Sequence, residues 1–201
     1  VEPLVVNYSI FGTSNIKYID WYIDGEFLET DTIQGGTAEA ITDNKKISLV
    51  GLSHGVHNVQ FRAYVAVNGE NFYTDTLYKE FMVVAETNYS DPMVAIEMVI
   101  PKEYLISNDV KLYNVVQYEL YSLSYGVHNP KNLEYVPVEI YLDNELSTSV
   151  NASNNQELTY SFTSSTSGTK TIKFKIGDYE KTVNAEVSET VMDLQEIDSN
   201  L

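Results

Sequence analysis

His54 and His57 stand three residues apart around Gly55, close enough in the chain to suggest a shared metal ion. That chemistry needs both rings on one helix face, or a third ligand close by. Here a glycine turn intervenes, and no cysteine or third histidine is near in sequence. The expected role of His57 is instead to cap or pack at the start of a strand. Acyl-transfer and phosphate-binding signatures are absent: there is no Gly-x-Ser-x-Gly and no phosphate-cradling glycine loop. A glycosidase needs two carboxylates held across a cleft. Asp20, Asp24 and Glu26 fall instead on strand faces and turns, where solvation is the expected role. Glu86 and Asp91 flank a short polar joint, where acids can bind calcium through oxygen ligands, but no looped D-x-D-x-D spacing accompanies them. The reading is therefore a non-enzyme, with no catalytic residue, no cofactor and no metal ligand.

The residues left with binding chemistry are tyrosines, 16 in all. Tyr18 and Tyr22 share one face of an alternating stretch, and Tyr135 and Tyr141 share one face of another. A tyrosine offers an apolar ring and a polar tip, which suits a protein partner or a sugar. Cross-strand packing on a sheet surface is the other reading of the same spacing.

The elements that carry these residues are strands. Tyr, Thr, Val, Ile and Phe are plentiful, and few stretches have helical period. Ile19, Trp21 and Ile23 alternate with Tyr18, Asp20, Tyr22 and Asp24, and Asp24-Gly25 then supplies a two-residue turn. Trp21 is the sole tryptophan, and its wholly apolar face assigns it to a core. From Lys46 to Val84 the chain reads as three strands. Val59, Phe61, Ala63 and Val65 lie on one face of the middle one, Gln60, Arg62 and Tyr64 on the other, and Asn68-Gly69 turns it back toward Phe81–Val84. Further on, Val136, Val138, Ile140 and Leu142 alternate with Tyr135, Pro137, Glu139 and Tyr141, and Pro137 marks an edge or a bulge. Val115–Leu123 reads as a strand, with Tyr125–Asn132 and Ser147–Asn155 as loops.

The chain repeats itself. Gly55–Arg62 matches Gly168–Lys175 in its glycine, apolar and basic positions. Ile23-Asp24-Gly25-Glu26-Phe27 parallels Leu142-Asp143-Asn144-Glu145-Leu146, in the same order relative to those stretches. With 201 residues, two domains of about 100 fit. We expect all-β architecture in two tandem Ig-like β-sandwich domains, residues 1–86 and 87–187. Ala85–Asp91 would be a semi-rigid joint, and 188–201 an acidic linker or the start of a further module.

The net charge of −17 is spread over both halves, with five basic and twelve acidic residues up to Glu86 and seven and seventeen beyond. Such a surface repels nucleic acid and anionic lipid. No apolar run reaches the roughly 18 residues of a membrane span, and no signal peptide is visible. Without cysteine, packing alone must stabilise the domains. The chain opens on Val1 and ends at Leu201, which reads as an excerpt of a longer protein.

The run from Trp21 to Val84, with its Gly-x-His-x-apolar turn before a long strand and an apolar closing strand, resembles Ig-like modules that occur in tandem within large proteins of gut Bacteroidota and their crAss-like phages. Val115–Leu146 looks like the module that follows in such arrays. The resemblance covers most of residues 1–187. It implies a structural, spacer or assembly part of a virion (portal–tail region or fibre) or of a bacterial surface protein. The implied partners are protein subunits of the larger assembly, in a virion or extracellular setting. The alternative is a carbohydrate-binding adhesin module that uses Tyr18, Tyr22, Tyr135 and Tyr141.

Overall fold

The structure, a computed structural model, describes residues 2–11, 15–33, 40–84, 92–101, 110–129, 131 and 133–190. They form fifteen strands and no α-helix. In chain order these are β1 (Leu4–Phe11), β2 (Ile16–Ile23), β3 (Glu26–Thr32), β4 (Ala40–Ile47), β5 (Gly55–Val67), β6 (Glu70–Tyr73), β7 (Thr76–Val83), β8 (Met93–Ile100), β9 (Lys111–Val116), β10 (Tyr121–His128), β11 (Val136–Leu142), β12 (Glu145–Ala152), β13 (Glu157–Phe162), β14 (Gly168–Ile176) and β15 (Tyr179–Ser188).

They make two tandem Ig-like sandwiches that share one sheet. A continuous eight-stranded sheet runs β13-β10-β8-β7-β5-β2-β3, with β6 added to β5. A two-stranded sheet, β1-β4, covers one end, and a five-stranded sheet, β12-β11-β14-β15-β9, covers the other. The covers lie on opposite faces. Tyr8, Ile19, Trp21, Ile47 and Val59 form the first core, with Phe61 and Phe81 against it. The second core takes Val94, Ile96, Met98, Leu123 and Tyr125 from the shared sheet, and Val138, Ile140, Ile172, Phe174 and Val183 from its own cover. Successive strand side chains point to opposite faces, so β7 serves both cores. Tyr78 enters the second, while Phe81 packs on the first. Trp21 is fully buried, as its apolar alternation predicts, with Phe61 4.7 Å and Tyr8 5.4 Å away between ring centroids.

The internal repeat is real in three dimensions. Asp24 and Asp143 both have positive φ at the first position of a hairpin turn. Each carboxylate accepts a backbone N–H from the start of the long strand beside it: Asn58 to Asp24 and Thr171 to Asp143, both at 2.9 Å. Each also takes a basic side chain from the preceding residue, His57 at 2.6 Å and Lys170 at 2.9 Å. Gly55 and Gly168 open these long strands with φ of 136° and 100°, a region that disfavours any side chain. Both hairpins carry a bulge at the same offset, between Trp21 and Tyr22 and between Ile140 and Tyr141.

Four expectations need correction. Residues 147–152 belong to strand β12, not to a loop: as a sheet edge that is exposed over most of its length, it needs no apolar alternation. The expected strand Val115–Leu123 is two strands, β9 and β10, with a turn at 117–119. Residues 125–128 are strand because Leu123, Tyr125 and Val127 alternate into the core. The return strand to Val84 is broken into β6 and β7 at Thr74-Asp75, where Thr74 exchanges hydrogen bonds with the Ala63 backbone. Pro137 sits where β11 has only β12 beside it, since pairing with β14 begins at Glu139. The expected joint at 85–91, including Glu86 and Asp91, lies outside the described residues, as do 191–201.

Candidate functional site

Tyr18 and Tyr22 do share a face, on the side of β2 away from the first core. Register brings more residues to them than spacing in β2 alone indicates. Tyr18 lies opposite Tyr64 and Asp20 opposite Arg62 across β2–β5, and Tyr64 lies opposite Tyr73 across the Asn68-Gly69 turn. Tyr18 and Tyr64 stack at 4.6 Å, and Tyr73 meets Tyr64 edge-on at 5.1 Å. Arg62 lies 3.8 Å from the Tyr73 ring centre and 5.5 Å from that of Tyr22, and its guanidinium donates to the Tyr22 hydroxyl at 3.1 Å. Asp20 is not a solvated strand carboxylate. It is only 5 % exposed and accepts from Thr30 at 2.6 Å and from the Tyr73 hydroxyl at 2.9 Å. The hydroxyl of Tyr73, engaged by Tyr18 and partly desolvated beside Asp20, is held protonated far above its ordinary range.

This cluster is largely satisfied from within. Tyr18 and Tyr64 each cover one face of the other, and Arg62 lies over the Tyr73 ring. Arg62 Nε and Gln60 Oε1 are buried without a hydrogen-bond partner. Tyr64, Tyr73 and Arg62 were within reach of the sequence, because a two-residue turn at Asn68-Gly69 sets Tyr64 against Tyr73.

Tyr135 and Tyr141 lie elsewhere, the first just before β11 of the five-stranded sheet and the second within it. Tyr135 is 55 % exposed. Tyr141 donates its hydroxyl to Glu139 at 2.8 Å, and this bond raises its pKa. The structure therefore does not bring the two tyrosine pairs together.

His57 is fully engaged. Nδ1 faces the Asp24 carboxylate at 2.6 Å and Nε2 faces the Ser53 carbonyl at 2.9 Å. Both partners are acceptors, so both ring nitrogens donate only in the imidazolium form. Burial works against that charge, but the hydrogen bonds from Asp24 and Ser53 outweigh it, and the His57 pKa is raised. Asp24, expected to be solvated, is therefore a structural clamp.

At the junction of the modules, pairing between β7 and β8 runs only from Thr76–Ile100 to Lys79–Glu97. Beyond it the Glu80 carboxylate, 6 % exposed, accepts the Ile96 N–H and the Tyr78 hydroxyl, each at 2.9 Å, and pairs with Lys181 of β15. Burial first, and Glu80 second, push the Tyr78 pKa far up; Tyr179 nearby is pushed up to about 12, mainly by burial.

No family model matches the chain, and no curated protein matches it. Solved structures do. The D0–D1 domain of intimin is 12 % identical, with 90 % of this chain and 87 % of that one covered and a TM-score of 0.43. The central fibronectin-III array of RIM-binding protein is 9 % identical, with 95 % and 65 % covered and a TM-score of 0.31. The SGBP-B of a Bacteroides ovatus mixed-linkage glucan utilization locus, in complex with a mixed-linkage heptasaccharide, is 12 % identical, with 92 % and 64 % covered and a TM-score of 0.26. The chain thus spans about two thirds of the last two. What these similarities accompany is an all-β chain of tandem Ig-like sandwiches.

Proposed function

We propose that this chain is a non-catalytic spacer or assembly unit of a larger surface or virion protein, one that holds its neighbours at a fixed distance and angle. The observation that supports it is the shared strand β7, which contributes Tyr78 to one core and Phe81 to the other, with the Glu80–Lys181 pair fastening the fork between modules. Two domains on a polar tether move independently by default; two domains that share a sheet and a buried ion pair turn as one body. Its partners in this reading are protein subunits of the assembly.

The absence of cysteine permits a direct test. Spin labels placed through Asn44→Cys and Glu145→Cys, one on each cover sheet, should give one narrow distance distribution by pulsed electron resonance. A broad distribution would overturn the spacer reading. The parent reading frame supplies a second test, since further β-sandwich units should flank these two.

A further inference from the structure

The outer face of the shared sheet, over β7, β8, β10 and β13, is hollowed into a trough of about 620 Å³, within the range of small-molecule sites (about 300–1,000 Å³). Register shows how it is built. One rim is a polar row of directly opposed residues across four strands: Lys79, Glu97, Ser124 and Thr159. The next row is the floor, where Ala95 lies opposite Gly126 and Gly126 opposite Glu157, with Phe81 closing the end toward the first core. In the row beyond, His128 lies opposite Met93.

Two features of the trough have no explanation in the fold. Gly126 sits mid-strand without a positive φ, and a Cβ there would meet only the Gln156 carbonyl at 3.8 Å. Glycine weakens a strand interior and often marks a place where something approaches the backbone closely. Separately, His128 Nε2 is buried and has no hydrogen-bond partner, an orphan of the kind that native proteins rarely leave.

We propose that this trough binds an oligosaccharide. Across the floor, β8, β10 and β13 are paired with one another through Ala95, Gly126 and Glu157, and where β7 and β8 part beyond Lys79–Glu97 the N–H groups of Val94 and Ile96 already donate to Tyr179 and Glu80. Recognition falls to side chains: two carboxylates that accept, an ammonium that donates, and two hydroxyls and the Asn155 amide that do both. That mixture of neighbouring donors and acceptors without a dominant charge matches a polyol. An anion would find Glu97 and Glu157 against it. The Lys79–Glu97 pair at 2.8 Å keeps the rim charges set before any ligand arrives. This site is independent of the spacer reading and distinct from the four tyrosines.

The test is a printed array of plant, host and bacterial glycans probed with the intact 201-residue protein, followed by calorimetric titration of the best-retained oligosaccharide. Saturable binding is expected. Gly126→Val should weaken it at least about tenfold while the melting temperature holds or rises, because valine suits a strand and has room. Tyr135→Ala with Tyr141→Ala should leave affinity unchanged. If Gly126→Val proves unstable, Glu97→Gln with Thr159→Val, both at exposed positions, decides instead through a loss of affinity. Retention of no glycan overturns the proposal. So does affinity indifferent to the trough variants, or affinity lost with the tyrosines at constant melting temperature.

Discussion

The two modules carry the same clamp on cores of very different size. In the first, five buried residues around Trp21 form the main cluster, with Ile16, Ala63 and Val65 as a satellite. In the second, one continuous cluster runs through four strands of the shared sheet, β7, β8, β10 and β13, and the whole facing sheet. At the position of Trp21, three residues before the turn aspartate, the second module has Ile140, and each lies opposite a phenylalanine, Phe61 or Phe174. One module thus concentrates its burial in a single large ring, whereas the other spreads it over many medium side chains. The difference teaches where each can be broken.

The largest effect should come from Trp21→Ala, at about 3–5 kcal/mol against about 5–15 for a whole domain. We expect the first module to lose protection in hydrogen-exchange mass spectrometry while β11 and β14 stay protected. A melting temperature within a degree or two of the parent would refute the asymmetry. Ile140→Ala should cost about 2–5 kcal/mol and leave its module folded, because the rest of that core remains.

Lys181→Met comes next and tests whether the two cores are separable at all. Removing one partner of a buried pair costs about 3–5 kcal/mol, though the Tyr78 and Ile96 donors left on Glu80 should hold the loss to the lower end. Both modules should lose stability together. A loss confined to residues after 92 would show that the fork is not shared.

The clamps sharpen the comparison further. Asp24→Asn and Asp143→Asn each remove a charge-assisted bond at a partly exposed site, and each should cost about 1 kcal/mol. Asparagine still accepts the positive φ at those turns.

The smallest effect is the dependence on pH, and its sign differs between modules. The His57 pKa is raised above 6.5, so its contribution is fully present below that value and lost as pH rises through the folded pKa. The Asp143 pKa is lowered below 3.8 because its bonds from the Thr171 N–H and Lys170 outweigh burial. Its contribution is present above 3.8 and lost only as pH falls through the folded value. Going from pH 6 to pH 8 should therefore loosen the first clamp and not the second, by under about 1 kcal/mol. His57→Gln should flatten that dependence in pH-resolved melting curves.

The all-β class, the hairpin at Asp24-Gly25, the burial of Trp21 and the repeat were legible because turn chemistry and period-2 alternation act over a few residues. β12 was missed since an exposed edge strand needs no apolar pattern, and β10 since Gly126 and His128 read as loop residues. The second role of Asp20, the Glu80–Lys181 pair and the trough depend on contacts between residues 10 to 101 positions apart. No local pattern encodes these.

The strand with a face in each core also bears on descent. Tandem arrays grow and shuffle when recombination copies a stretch that folds alone. A crossover between β7 and β8 would carry off a first unit with Tyr78 and Glu80 bare, and a second unit lacking the strand that supplies both. The heritable unit here is the pair, so any lineage that duplicates this segment intact must pass on its two modules together.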